Sequence, residues 1–212
     1  MLKKINLNDS KDEIIGSLEK YRDKAIEMGA SQTKIISTKQ IIVDDRVPLK
    51  CQIPRCFGYG TGAHCPPHTL KPKQLRKHLS DYEWAVFFIK EVEPEIIVRD
   101  RATIKERIDA YLSVFDIVSK IESMAFHDGH YLAFGLGAGS CRHSLCSRQK
   151  TCAAMEGDRC RHALKARPSM EAVGIDVYQM VTRAGWEIYP IGSSITPDQI
   201  PKGTLAGIII IR

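Results

Sequence analysis

Residues 84–92 read Trp84-Ala85-Val86-Phe87-Phe88-Ile89-Lys90-Glu91-Val92, an apolar run of the length of one strand. A second run of this kind, rich in isoleucine, occupies residues 205–211. Between the two runs, residues 101–125 carry a wide apolar stripe at helical spacing and predict a long helix. Further strands are predicted at 33–43, 131–134 and 187–191, and further helices at 10–28, 73–79 and 177–184.

Helices and strands therefore alternate along the chain, which favours a sheet with helices packed on it. We expect an α/β fold, with α+β as the alternative, built on a single sheet of about four or five strands. A length of 212 residues is typical of one domain. The prediction is a single domain over residues 1–212, with two cysteine-rich metal-binding loops at about 51–68 and 135–168.

The seven cysteines fall into two tight groups rather than being scattered. The first group is Cys51-x4-Cys56-x8-Cys65, followed by Pro66-Pro67. The second group is Cys141-x4-Cys146-x5-Cys152-x7-Cys160. Clustered cysteines in a chain without a secretion signal favour metal ligation over disulfides, and an odd number excludes complete pairing.

The second group holds four thiols, which is a complete ligand set for a [4Fe–4S] cluster or for a four-thiolate zinc site. Zinc sites usually contain a CxxC-like knuckle on each side, which is missing here. Iron–sulfur clusters accept wider spacing, because the four thiolates reach four separate irons. Gly137 and Gly139 precede the group and are expected to turn backbone N–H groups towards an anionic cluster. A structural role for the thiols without metal is the third reading.

The first group holds three thiols and is one ligand short of a closed site. Its fourth position is either open or filled by His64, by His68 or by a cysteine of the other group. Gly58 and Gly60 are predicted to contribute backbone N–H groups to the cofactor, as Gly137 and Gly139 do. The alternative is that these cysteines are small buried apolar residues.

Composition restricts the class of protein, the cellular location and the partners that are expected. The chain is 43% hydrophobic and 26% charged, as is ordinary for a soluble globular protein, and no apolar run is long enough to span a bilayer. The first residues lack the apolar core of a signal peptide, so a cytoplasmic location is expected. The formal net charge of +6 is offset in part by the charge of a thiolate-bound cluster, and no nucleic-acid-binding motif is visible.

Three motifs together resemble the domain of unknown function 2284 family, whose members are described as predicted metal-binding proteins and are found largely in anaerobic archaea and bacteria. They are the first cysteine group with Tyr59-Gly60 and Cys65-Pro66-Pro67, the segment Gly137-Ala138-Gly139-x-Cys141 with its following cysteines, and Arg167-Pro168-Ser169-Met170-Glu171-Ala172-x-Gly174-Ile175-Asp176-Val177. The resemblance spans most of the chain. It implies a metal, iron–sulfur in kind, but no particular reaction.

We therefore expect a cytoplasmic [4Fe–4S] protein, with one or two clusters, that transfers electrons or serves a redox partner protein in anaerobic metabolism. One alternative is an enzyme whose three-cysteine cluster leaves an iron open to act as a Lewis acid. The other alternative is a zinc-stabilised structural or interaction module. No P-loop, nucleophile elbow or HExxH motif is present, and neither nucleic acid nor a membrane is expected as a partner.

Overall fold

One four-stranded sheet forms the centre of the protein. The computed structural model describes residues 5–6, 9–98, 103–192 and 194–212. Within them the strand order is β1-β2-β4-β3, and every neighbouring pair is antiparallel. The strands are β1 (Gln32–Ser37), β2 (Trp84–Val92), β3 (Phe134–Leu136) and β4 (Gly203–Ile211). The prediction of a single sheet with packed helices is confirmed, and the antiparallel pairing selects the α+β class.

The two apolar runs of the sequence become the two central strands. β2 pairs with β4 along nine residues, from Trp84 opposite Ile211 to Val92 opposite Gly203. Side chains of a strand alternate between the two faces of its sheet, so a run without polar interruption must be covered on both sides. Val86 and Phe88 face one apolar cluster, and Phe87 and Ile89 face the other.

Six α-helices are present in the described residues, and four of them cover the sheet. On one face lie α1 (Lys11–Glu27) and α5 (Ile104–His127). On the other lie α3 (Pro72–Leu79) and α6 (Val177–Ala184). The two short helices are α2 (Arg46–Gln52) and α4 (Pro94–Ile97). None of the helices in the described ranges combines the length and the apolar content needed to cross a bilayer.

Local sequence signals set the helix ends. Ser10 and Glu13 form a capping box at the start of α1, and Thr103 and Glu106 form another at the start of α5. The Asp176 side chain accepts a hydrogen bond from the Gln179 N–H at the start of α6. The predicted helix over 101–125 begins at Ile104, after the Thr103 cap, and residues 101–102 of that prediction lie outside the described ranges.

Some predicted elements differ from the structure. Residues 187–191 are not a strand: Trp186 stacks on Phe87 with ring centroids 5.3 Å apart, and Ile188 packs on the same apolar cluster without a ladder partner. The apolar residues of this segment are therefore explained by burial against the cluster and not by pairing with another strand. The strand predicted at 33–43 ends at Ser37, where a short 3-10 helix begins. Helices α2 and α4 were not predicted; both are short, and each carries a proline in its first turn.

Helix α5 approaches β3 so closely that only glycine fits beneath it. A Cβ atom placed on Gly135 would lie 2.2 Å from Cγ1 of Val118. This contact fixes the position of β3, and β3 leads directly into the second cysteine group. The spacing between helix and sheet thus controls where that group begins.

We predict that Gly135→Ala lowers the free energy of unfolding by about 1–3 kcal/mol, because the added methyl group overpacks the interface with α5. The matched control is Gly16→Ala in α1, where nothing lies within 4 Å of the added Cβ. It should raise stability by about 0.5–1 kcal/mol through helix propensity. Urea unfolding measures both, and a neutral Gly135→Ala variant would contradict the packing argument.

Candidate metal centre

The first cysteine group spans the end of α2 and a run of tight turns. Cys51 lies in the last turn of α2, and the Cys56 N–H donates to its carbonyl at 2.9 Å. Cys65 is buried and its N–H donates to the Gly62 carbonyl at 3.0 Å, whereas Cys51 and Cys56 are half-buried. Tight turns therefore take the place of helix or strand after α2, and they position the three cysteine side chains along one loop.

The second cysteine group begins directly after β3 and is held by Arg142. The Arg142 guanidinium donates to the carbonyls of Cys146, Gln149 and Lys150 at 2.6, 2.5 and 2.8 Å. Cys141 is buried, and the other three thiols of the group are half-buried. A single side chain thus closes the turn between the second and third cysteines of this group.

The two cysteine groups meet in space. Cys65 Sγ and Ser140 Oγ are hydrogen-bonded at 3.2 Å, and His64 Nδ1 lies 3.7 Å from Cys141 Sγ. The rings of Phe57 and His143 pack edge to face with centroids 4.7 Å apart. The loops therefore form one common region and not two separate sites.

Burial and the proximity of other thiols both raise the pKa of four of the cysteines, namely Cys51, Cys65, Cys141 and Cys146. Burial is the larger cause at every shifted cysteine, and neighbouring thiols add to it. The pKa of Cys141 rises to about 12 and that of Cys51 to about 11. Cys65 and Cys141 lie within electrostatic reach of each other, and both lie within reach of Cys152. A metal centre would therefore have to displace protons from thiols that hold them tightly.

The donor set of this region fits a thiolate-bound metal centre. All seven cysteines are free thiols, and thiolate sulfur is the ligand that iron–sulfur clusters and structural zinc prefer. Among the described residues, no three His, Cys, Asp or Glu side chains are close enough to hold a single metal ion. The thiols thus surround a shared region without converging on one point.

The two histidines named as spare ligands differ in their surroundings. His64 is half-buried between the two groups, and burial followed by the charge of Arg167 lowers its pKa, which favours the neutral imidazole that binds metals. His68 is exposed. Of the two, His64 is the one positioned beside the thiols.

The glycines of the two loops play different parts. The Gly58 N–H donates to Cys56 Sγ at 3.4 Å, the kind of contact expected around an anionic cluster. The N–H groups of Gly60 and Gly137 donate instead to the carbonyls of Pro66 and Pro168, at 2.8 and 2.9 Å. Gly139 has a positive φ of 67°, and a Cβ there would lie 2.7 Å from the Tyr111 ring. In this conformation, Gly60, Gly137 and Gly139 shape the loops.

Two further residues beside the thiols did not stand out in the sequence. His143 Nε2 is buried and has no hydrogen-bond partner among the described residues, and burial lowers the pKa of this imidazole. Glu171 lies within electrostatic reach of Cys51 and Tyr111, and burial raises the pKa of its carboxyl. The sequence placed Glu171 within the Arg167–Val177 motif, but only the fold brings it to the first cysteine group.

A partly buried ion pair attaches the second cysteine segment to the core. Arg167 donates to both carboxylate oxygens of Glu122 on α5, at 2.8 and 2.5 Å, and Glu122 also accepts the Gly135 N–H at 2.6 Å. The segment is closed by backbone hydrogen bonds as well: the Gly137 N–H donates to Pro168, and the Met170 N–H donates to Gly137. The two ends of the second cysteine segment are therefore held next to each other.

Comparison with known proteins yields one finding. A family model described as "Predicted metal-binding protein (DUF2284)" matches residues 34–210, which include all seven cysteines. No match was found among curated proteins or among solved structures. The match confirms the resemblance drawn from the cysteine motifs.

We predict that Arg167→Met lowers the free energy of unfolding by about 3 kcal/mol, because it leaves the Glu122 carboxylate without its cation at a site where both side chains are less than 20% exposed. The matched control is Lys165→Met, which breaks an ion pair with Asp116 between two half-exposed side chains. That change should cost less than about 1 kcal/mol. Equal losses in urea unfolding would contradict the anchoring role.

The raised pKa of Cys141 predicts a pH dependence in the metal-free protein. The unfolded thiol ionises near about 8.5, so the folded state holds its proton over a range in which the unfolded state releases it. The resulting stability is fully present below pH ~8.5 and is lost as pH rises towards the folded pKa of about 12.

Between pH 8.5 and 10, Cys141→Ala should therefore lose about 2 kcal/mol less stability than the wild type. The control Ser147→Ala changes an exposed residue of the same loop without removing a thiol, and it should keep the wild-type slope. Urea unfolding at several pH values measures the slopes. Parallel curves for Cys141→Ala and wild type would contradict the prediction.

Proposed function

This chain belongs to the DUF2284 family of predicted metal-binding proteins, and on that premise we propose that it is a cytoplasmic iron–sulfur protein that transfers electrons in anaerobic metabolism. The observation that carries the proposal is the meeting of seven free thiols from two loops in one region. Seven thiols exceed what any single ion or cluster requires, so two centres side by side account for them best.

The distribution of the thiols supports clusters over zinc. A zinc ion needs its sulfurs within about 2.3 Å of one point. A cubane cluster instead takes one thiolate at each of four irons and accepts a wider arrangement. The cysteine spacings of x4, x5 and x7 suit the same reading.

We assign one [4Fe–4S] cluster to Cys141, Cys146, Cys152 and Cys160, and a second cluster to Cys51, Cys56 and Cys65. The fourth ligand of the second cluster is proposed to be His64, with Glu171 as the alternative. His64 lies between the groups as a neutral imidazole, and Glu171 lies beside Cys51. A closed ligand set suits an electron carrier, because it leaves no iron exposed to solvent.

A bound [4Fe–4S] cluster takes up and releases one electron at a time. The chain's own residues adjust the surroundings of the thiolates. Ser140 Oγ contacts Cys65 Sγ, and the Gly58 N–H contacts Cys56 Sγ, so both sulfurs have hydrogen-bond donors beside them. Such contacts stabilise the more negative, reduced state and raise the reduction potential.

A pocket beside Cys152 favours a second candidate function, an enzyme with an open iron that acts as a Lewis acid. The pocket has a volume of about 430 Å³ and lies between the two loops, with Thr61, Arg142, His143 and Cys152 in its wall. A substrate bound there would lie next to the second cysteine group. Reversible redox cycling without any added substrate separates the electron carrier from this enzyme.

We predict that wild-type protein, reconstituted anaerobically with iron and sulfide, holds about eight irons, and that Cys56→Ser holds about four. The reduced wild type should show an electron paramagnetic resonance spectrum broadened by interaction between two nearby centres. Cys56→Ser should show the simple spectrum of one cluster, since only the second group remains complete.

The control Ser147→Ala should keep the full iron content and the interaction spectrum. Zinc bound in place of iron, without sulfide, would overturn the proposal. If Cys56→Ser retains the wild-type iron content, the first group holds no cluster and the carrier has a single centre.

A further inference from the structure

The charge of the chain is concentrated in the two cysteine segments. Residues 51–68 and 135–168 contain eight Lys and Arg residues and two acidic residues, Glu156 and Asp158, which gives +6. That value equals the formal net charge of the whole chain, so the remaining three quarters of the sequence are neutral overall. Two clusters with seven thiolates would contribute about −3, which leaves this region with about +3.

The basic side chains of these segments divide into an inward and an outward set. In the inward set, Arg142 donates to backbone carbonyls and Arg167 donates to Glu122. Arg161 donates to the Thr151 carbonyl near Cys146, and Lys165 pairs with Asp116. The outward set is exposed and forms no ion pair within the described ranges; it consists of Arg55, Arg148, Lys150 and Arg159. The outward positive charge is therefore available to a partner.

Apolar side chains lie exposed within the same region. Phe57 is 65% exposed, Ile53 62% and Met155 42%. Phe57 packs against His143, and His143 shares the wall of the pocket with Lys150 and Met155. Exposed apolar side chains surrounded by charge are the usual composition of a protein–protein interface.

From these observations we infer that the surface around Phe57, Met155, Arg148 and Lys150 docks an acidic redox protein, which exchanges electrons with the clusters beneath it. The inference rests on the proposed electron-transfer function and names the chemistry of the partner. Carboxylates of the partner face the outward basic side chains, and an apolar patch of the partner covers Phe57. Opposite charges steer such encounters and give association rates that fall with ionic strength.

A protein partner fits this surface better than a nucleic acid does. Phe57, Ile53 and Met155 present aliphatic and aromatic area that phosphates cannot use. The site also borders Cys152, which places a bound protein directly over the second cysteine group.

The experiment uses flavodoxin, a strongly acidic protein, as the electron donor. A portion of each reconstituted variant is first assayed for iron and sulfide and titrated with dithionite, so that cluster content and reducibility are known, and the remaining oxidised protein is the electron acceptor. Stopped-flow spectroscopy then measures electron transfer from reduced flavodoxin between 50 and 500 mM salt. We expect the wild-type rate to fall at least about tenfold over that range.

Three variants test the surface. Arg148→Glu/Lys150→Glu should slow the reaction about tenfold or more at 50 mM salt and should approach the wild type at 500 mM, because screening removes the repulsion. Phe57→Ala should slow the reaction several-fold at every salt concentration, since it removes an uncharged contact. The control Lys11→Glu/Lys77→Glu makes the same change of charge at exposed sites outside both segments and should stay within about twofold of the wild type.

The outcomes separate the docking surface from the function on which it rests. A preparation without iron and sulfide overturns the proposed function itself. Full clusters that dithionite reduces normally, with a flavodoxin rate that is independent of salt or equally slowed in the control, overturn the docking surface alone. Tighter binding of a 20-nucleotide single-stranded RNA than of flavodoxin at 150 mM salt would also overturn it, in favour of a nucleic-acid partner.

Discussion

The antiparallel pairing of β2 with β4 is the interaction on which the rest of the structure depends. Nine residue pairs join two strands whose side chains are buried on both faces. Strands of this kind exclude water only when helices cover the sheet on each side, so α1 and α5 must lie on one face and α3 and α6 on the other. The cysteine loops connect these elements and contribute little to the two large apolar clusters. The core is thus built independently of the candidate metal centre.

Sequence patterns predicted the central elements because burial and periodicity coincide there. Residues 84–92 are buried along most of their length and form β2 within the predicted bounds, and Asp176 and Gly185 delimit α6 as capping residues do. Prediction failed where a segment packs against the core but is not hydrogen-bonded to a neighbouring strand. Residues 187–191 pack against the sheet through Ile188 but have no strand beside them, and no local pattern distinguishes such a segment from a strand.

The candidate site also combines features that the sequence predicted with features that only the fold reveals. Cysteine spacing predicted two groups, and the structure brings them together through contacts that no spacing encodes, such as Cys65 with Ser140. His143 and Glu171 can be recognised as site residues only from the fold, because the groups that bury them come from distant parts of the chain. His64 and His68 are four residues apart and equally plausible in sequence, yet only His64 lies between the loops.

The closure of the second cysteine segment has an evolutionary consequence. Gly137 exchanges backbone hydrogen bonds with Pro168 and Met170, so about thirty residues leave the core and return at one point. The entropy of closing such a loop depends only weakly on its length, about 0.6 kcal/mol for each doubling. Insertions and deletions between the two ends can therefore change the spacing of the cysteines while the sheet stays as it is. The segment can therefore evolve as a separate unit: its length and sequence can change, and with them the metal centre and its outer surface, while the sheet and its helices stay the same.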